Sequence, residues 1–276
     1  MLIKATSPAK IHLIGEYSAI FGKPAILFPV NLHLTVVLKE SKKKQIKQPF
    51  QLAIEKIVES KYKKKIPSYS IEIESDIPVG SGLGSSAALC ASLAKALFKM
   101  LKIRPTPKGI FEAALEGEKI FHGFPSGSDL WTVILEKPIW YVKKSPQEII
   151  VKPLPKHKKL NISLVDSGKP KESTKQMVEM VVKKNKKILD SFATSQEKLT
   201  KQMLTAIKTN NSTKIAKIIT EANKNLISLG VVSKKTQTLI SKLEKNGEAA
   251  KITGAGGKKT GSGIVIAFHK NPKKLK

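Results

Sequence analysis

Seven consecutive residues, Gly80-Ser81-Gly82-Leu83-Gly84-Ser85-Ser86, carry three glycines and three serines and stand directly before an apolar helical pattern. Successive backbone N–H groups in such a turn form an anion-binding concavity, and the helix N-terminus adds partial positive charge. Glycine lets a phosphate approach without a Cβ in the way. A serine hydroxyl at the helix start can cap the helix or coordinate Mg²⁺. The Gly-Lys-Ser/Thr ending of a Walker A loop is absent, and a purely structural turn has the same composition. Further along, Glu118 shares a helical face with Phe111, Ala114, Leu115 and His122. A carboxylate on such an apolar face needs a cation or a hydrogen-bond partner. Asp129 follows Pro125-Ser-Gly-Ser128, a turn that should project it at the start of a new element.

These groups depend on the elements around them. Ala9 to Ile14 and Leu32 to Leu38 read as strands, joined by a turn near Phe21-Gly22-Lys23-Pro24. Gln51 to Tyr62 has helical periodicity, and Ser70 to Ser75 alternates as a half-buried strand. The glycine loop then opens a helix from about Ser85 to Leu101, and a second helix runs from about Pro107 to His122. Pro138 to Val142 and Glu148 to Val151 suggest paired strands, and Pro153-Leu-Pro-Lys-His157 reads as a linker. Beyond it come a strand at Leu160 to Asp166, helical patterns over Ser173 to Ile207, Thr213 to Leu229 and Ser233 to Asn246, and strands at Ala249 to Thr253 and Gly263 to His269. The reading is two α+β domains, 1–157 and 158–276.

The chain has 276 residues and 41% hydrophobic content, enough for a sizeable core. No apolar run is long enough for a membrane span, and the opening MLIKATSPAK lacks the pattern of a secretory leader. A single cysteine, Cys90, excludes an internal disulfide and a cysteine-based zinc site. A cytoplasmic protein with no membrane partner is expected. The formal net charge is +29, yet Arg104 is the only arginine, and the lysines are scattered over runs such as Lys42–Lys44, Lys63–Lys65, Lys183–Lys187 and the tail Lys270–Lys276. Dedicated nucleic-acid readers favour arginine forks and aromatic platforms. The charge therefore predicts attraction of anionic small molecules and non-specific polyanion binding at low salt.

Two further segments, "SPAKIHLIGEYSAIFGKPAI" (7–26) and "KITGAGGKKTGSGIVIAF" (251–268), complete a threefold pattern with the central loop. In this order the three motifs resemble those of the GHMP kinases. Within that family the segments Gly117 to Asp129 and Leu164 to Thr174 are most similar to the mevalonate kinase branch. The resemblance implies an N-terminal domain like the second domain of ribosomal protein S5, a ferredoxin-like C-terminal domain, and an active site between them. It implies ATP- and Mg²⁺-dependent phosphorylation of the primary hydroxyl of mevalonate, a small-molecule substrate of isoprenoid biosynthesis. Asp129 would be the catalytic base and Lys10 its partner, holding the carboxylate ionised. Gly80, Ser81, Gly82, Leu83, Gly84, Ser85 and Ser86 would bind ATP. Ser86 and Glu118 would hold the metal, the rival for Glu118 being a buried salt bridge to a lysine. Glu16, Tyr17, Ser126 and Thr174 would face the substrate or its phosphates, and Gly254, Ala255, Gly256 and Gly257 form the C-terminal glycine motif.

This chain departs from the pattern at three places. Tyr17 stands where mevalonate kinases usually have histidine. Leu130-Trp131 and Glu136-Lys137-Pro138 replace small residues, and Lys258-Lys259-Thr260 replaces glycines. The acceptor thus stays open between mevalonate and phosphomevalonate or a related hydroxy acid, and a homodimer is left open as the assembly. A basic nucleic-acid-binding protein is the rival from another class, although a binder needs no base and metal site together.

Overall fold

The computed structural model describes residues 2–43 and 45–270. Lys44 of the Lys42–Lys44 run and residues 271–276 of the lysine tail lie outside the described residues. The elements in order are β1 (Leu2–Ile14), a 3₁₀ turn (Ser18–Phe21), β2 (Ala25–Glu40), α1 (Pro49–Tyr62), β3 (Tyr69–Ser75), α2 (Ser85–Met100), α3 (Pro107–His122) and α4 (Ser128–Leu135). They continue as β4 (Ile139–Lys143), β5 (Ile149–Pro153), β6 (Ile162–Asp166), α5 (Thr174–Val182), α6 (Lys186–Lys208), α7 (Ser212–Leu229), α8 (Lys234–Lys245), β7 (Ala249–Ile252) and β8 (Ile264–Phe268). The α+β expectation holds.

Packing divides the chain into two compact units. Among the described residues, one gathers 2–10, Pro29–Val79 and Gly84–Lys137; the other gathers Ile11–Phe28, Gly80–Leu83 and 138–270. Both units draw on residues before 157, so the packing units and the division at the Pro153–His157 linker are different partitions of the chain.

In the first unit β2 pairs antiparallel with β3, from Leu34 opposite Ser75 to Glu40 opposite Tyr69. Helices α1, α2, α3 and α4 pack on one another. Alanines at 87, 88, 91, 94 and 96 bury much of α2 with little bulk. Thr106 caps α3 by accepting from the Gly109 amide, and Pro107 fits the first turn, where its missing N–H costs nothing. At Gly117 a Cβ would lie 2.8 Å from both Cys90 Sγ and Ile54 Cδ1. Glycine there lets α3 close on α1 and α2, which carries the adjacent Glu118 into the interior.

In the second unit β2 pairs antiparallel with β4 through Ala25–Leu27, and β4 with β5. A three-stranded antiparallel sheet runs in the order β6-β8-β7, with α7 and α8 against β7. Its core joins Met177, Val181, Phe192, Leu226, Ile252 and Val265 with Tyr17. Three expectations change in length. The strand read at Leu32 to Leu38 begins at Ala25 and runs to Glu40. The strand around Ala9 to Ile14 extends back to Leu2, with Ile3 and Ala5 buried in alternation. The pattern over Ser173 to Ile207 is two helices, broken before Asn185, whose side chain caps α6 by accepting from the Lys187 amide at 2.8 Å. Among the described residues no helix is long and apolar enough to cross a membrane.

Candidate active site

In the first unit, α4 begins where the sequence placed the start of a new element. Asp129 sits in its first turn, where the helix dipole favours a carboxylate. Lys10 on β1 reaches it: Nζ lies 3.0 Å from Asp129 Oδ2, the lysine side chain 2% exposed and the aspartate 30%. The Ser128 hydroxyl donates to Asp129 Oδ1 at 3.4 Å and stands 2.9 Å from the Ser126 hydroxyl. Gly84, the residue before α2, holds φ 74°, and a Cβ there would lie 2.9 Å from Cγ and Cε of Lys10. The glycine loop therefore lays the start of α2 over the lysine stem that serves Asp129.

The same unit places Ser86 and Glu118 with His122. The Ser86 hydroxyl is 2.9 Å from His122 Nε2, and that nitrogen is 3.9 Å from Glu118 Oε2. Glu118 is 4% exposed, and its Oε1 is buried with no hydrogen-bond partner. Burial pushes the Glu118 carboxyl up to about 7, the Ser86 hydroxyl working against the rise, with the Asp129 charge adding to it and Lys10 opposing. Burial also lowers His122, which favours the neutral imidazole. Within this unit the groups beside Glu118 are a hydroxyl and a histidine rather than a lysine. An orphaned buried carboxylate oxygen beside a serine hydroxyl suits a hard cation such as Mg²⁺, which takes few protein ligands and keeps waters or phosphate oxygens. Among the described residues no cluster of three or more His, Cys, Asp or Glu could hold a metal by protein ligands alone.

In the second unit, Gly82 and Gly254 meet backbone to backbone. A Cβ at Gly82 would be 2.5 Å from the Thr253 carbonyl oxygen, and one at Gly254 would be 2.9 Å from the Gly82 Cα. The Gly80–Leu83 part of the loop and the Thr253–Gly257 motif thus lie in contact, and the Ile264 amide donates to Ser81 O at 2.9 Å. Glu16 is buried and paired with Lys251, which is 0% exposed and also donates to Ile252 O at 2.8 Å and His12 O at 3.3 Å. The His12 amide donates to Thr253 Oγ1 at 2.7 Å, and the Tyr17 hydroxyl donates to Ala255 O at 2.6 Å. Thr174 is exposed in the first turn of α5.

The folding therefore joins Lys10 with Asp129, Ser86 with Glu118, and the first motif with the C-terminal glycine motif. Sequence reasoning missed Lys251 and gave His122 no role. Lys251 had one signal, a lysine within the apolar strand Ala249–Ile252; His122 had its position one helical turn after Glu118. Lys10 and Lys251 are the two lysines buried among the described residues, and each is paired with a candidate site carboxylate.

A family model described as the GHMP kinases N terminal domain matches residues 47–137. A mevalonate kinase of Archaeoglobus fulgidus is 26% identical over 282 residues, spanning 98% of this chain and 93% of the relative. The solved structure of the Methanococcus jannaschii mevalonate kinase has a TM-score of 0.82 at 22% identity, covering 99% of this chain and 92% of that one. The Streptococcus pneumoniae phosphomevalonate kinase in complex with phosphomevalonate and AMPPNP has a TM-score of 0.82 at 18% identity, covering 98% and 93%. The two solved structures speak for the fold, and their equal scores do not separate one acceptor from the other.

Proposed function

We propose that this chain, a member of the GHMP kinase superfamily, transfers the γ-phosphoryl group of ATP to the primary hydroxyl of mevalonate. The observation that carries the proposal is the Lys10–Asp129 pair, an ammonium shielded from water and held 3.0 Å from a carboxylate that remains partly open to solvent. Asp129 takes the proton of the acceptor hydroxyl on its partly solvent-exposed carboxylate. Lys10 stabilises the alkoxide character that builds on the acceptor oxygen, and burial strengthens that electrostatic effect. The N–H groups of Gly80–Ser86 and the N-terminus of α2 would donate to the phosphate oxygens. Ser86 and Glu118 would hold Mg²⁺, which when bound supplies positive charge against the triphosphate. Phosphoryl transfer asks mainly for positioning and charge neutralisation, which this set of residues supplies.

Mevalonate as acceptor is supported by the Archaeoglobus relative, which matches almost end to end. The test is a screen of ATP turnover with mevalonate, phosphomevalonate and other small hydroxy acids, each at several concentrations. The proposal expects the highest kcat/KM with mevalonate. A preference of tenfold or more for phosphomevalonate would replace the acceptor and leave the kinase assignment standing.

A further inference from the structure

Tyr17 directly follows Glu16 in the first motif, and its surroundings point to a task other than touching the acceptor. Its backbone is left-handed, φ 63° and ψ −25°, a region that bulky residues seldom occupy. Its ring is 7% exposed and belongs to the hydrophobic core of the second unit, with Ala255 packed against that core. Its one O–H donor is spent on the Ala255 carbonyl at 2.6 Å. Burial, and after it the Glu16 charge, raises the phenol far above its ordinary range, so it remains a neutral donor at any working pH. Three neighbouring bonds join the same two segments: the His12 amide donates to Thr253 Oγ1, and the Lys251 ammonium donates to Glu16 and to the His12 carbonyl. Residues 12–17 thus grip the segment 251–255 at three points, and Tyr17 supplies the one nearest the glycines.

We infer that Tyr17 is a positioning residue of the phosphate-binding apparatus, fixing the C-terminal glycine motif through the Ala255 carbonyl and making no hydrogen bond to the acceptor. An imidazole, shorter by the phenolic oxygen, would not span the same gap, so the replacement of histidine by tyrosine gives this chain a tie of its own. The inference rests on the proposed ATP-binding role of the Gly80–Ser86 loop, whose Gly82 lies backbone to backbone against Thr253 and Gly254. With the tie intact, the carbonyl of Ala255 is held away from incoming phosphates, and the adjacent N–H groups keep one arrangement. Without it the loop must be ordered by the nucleotide itself, at a cost in nucleotide affinity.

The experiment compares the parent protein with Tyr17→Phe, which keeps the ring and removes only the hydroxyl, and with Tyr17→His. Circular dichroism and melting establish that each variant is folded. Steady-state kinetics should show KM for ATP raised about fivefold, the factor one ordinary hydrogen bond is worth, while KM for mevalonate stays within about twofold. Amide exchange of the 253–257 segment, measured without nucleotide, should be about fivefold faster in both variants. A raised KM for mevalonate with KM for ATP and exchange unchanged would overturn the inference and make Tyr17 an acceptor contact. Normal ATP turnover with neither KM for ATP nor exchange moved would overturn it alone. A parent protein inert toward ATP with every acceptor would instead defeat the kinase reading beneath it.

Discussion

Glu118→Gln should change how stability depends on pH, as expected for a buried carboxylate with one oxygen left without a hydrogen-bond partner. The Glu118 carboxyl rises from an ordinary 4.5 to about 7 because burial disfavours its charge. In the unfolded chain it returns to about 4.3. Between those values the folded protein holds a proton that the unfolded chain has released. The contribution of Glu118 is therefore fully present below the ordinary value and is lost as pH rises through 7. A shift of this size corresponds to about 3 kcal/mol lost by pH 8, and the 4% exposure of the side chain leaves little solvent to screen it. The assay is urea unfolding of parent and variant in EDTA at pH 5, 6, 7 and 8. The amide contributes a constant offset and no slope, and titrations common to both proteins cancel in the difference. The variant should gain on the parent by about 2–3 kcal/mol between pH 5 and pH 8, part of the loss having already occurred at pH 5. Added Mg²⁺ should then stabilise the parent at pH 8 and leave the variant unmoved. Parallel curves, within about 0.5 kcal/mol over the whole range, would refute both the buried-carboxylate argument and its extension to a cation site.

Three other perturbations test separate joints of the structure. Lys251→Met should destabilise the protein by about 3–5 kcal/mol in urea, because it strands the buried Glu16 charge, and adding Glu16→Gln should recover a large part of the loss. Gly84→Ala should cost about 1–2 kcal/mol for its left-handed backbone, and its methyl group, pressed on the Lys10 stem, should lower kcat more than KM. Retention on an RNA or heparin column should vanish steeply with added salt, with no preference among RNA sequences, as scattered exposed lysines dictate.

Much of the fold was legible in the sequence because its signals were local. Thr106-Pro107 and Gly123 bracket α3, and the glycine loop announces α2, so both helices fall where periodicity places them. The break between α5 and α6 was hidden because Lys183 and Lys184 continue a good helix pattern, leaving the Asn185 cap as the only cue. The first half of β1 was hidden because its buried positions are small or moderate, Ile3, Ala5 and Ser7. In the site, Asp129 and Glu118 were legible through their own turn and helix face. Lys251 was not, because its partner Glu16 lies 235 residues away and only the tertiary fold joins them. Tyr17 was legible as a departure, but the Ala255 carbonyl that takes its hydroxyl is 238 residues distant.

The central claim is that Asp129, paired with Lys10, serves phosphoryl transfer from ATP to the mevalonate hydroxyl. Its most direct test is ³¹P NMR of a mixture of ATP, Mg²⁺ and mevalonate with the parent protein and with Asp129→Asn. With the parent protein a phosphomonoester signal should grow as the γ-phosphate of ATP declines. With the variant, equal in fold and in ATP affinity, that growth should slow by a factor of about 10² to 10⁴, the range expected for losing a general base. A variant that phosphorylates mevalonate within a few-fold of the parent rate would contradict the account, and so would a parent protein that forms no phosphomonoester from any hydroxy acid.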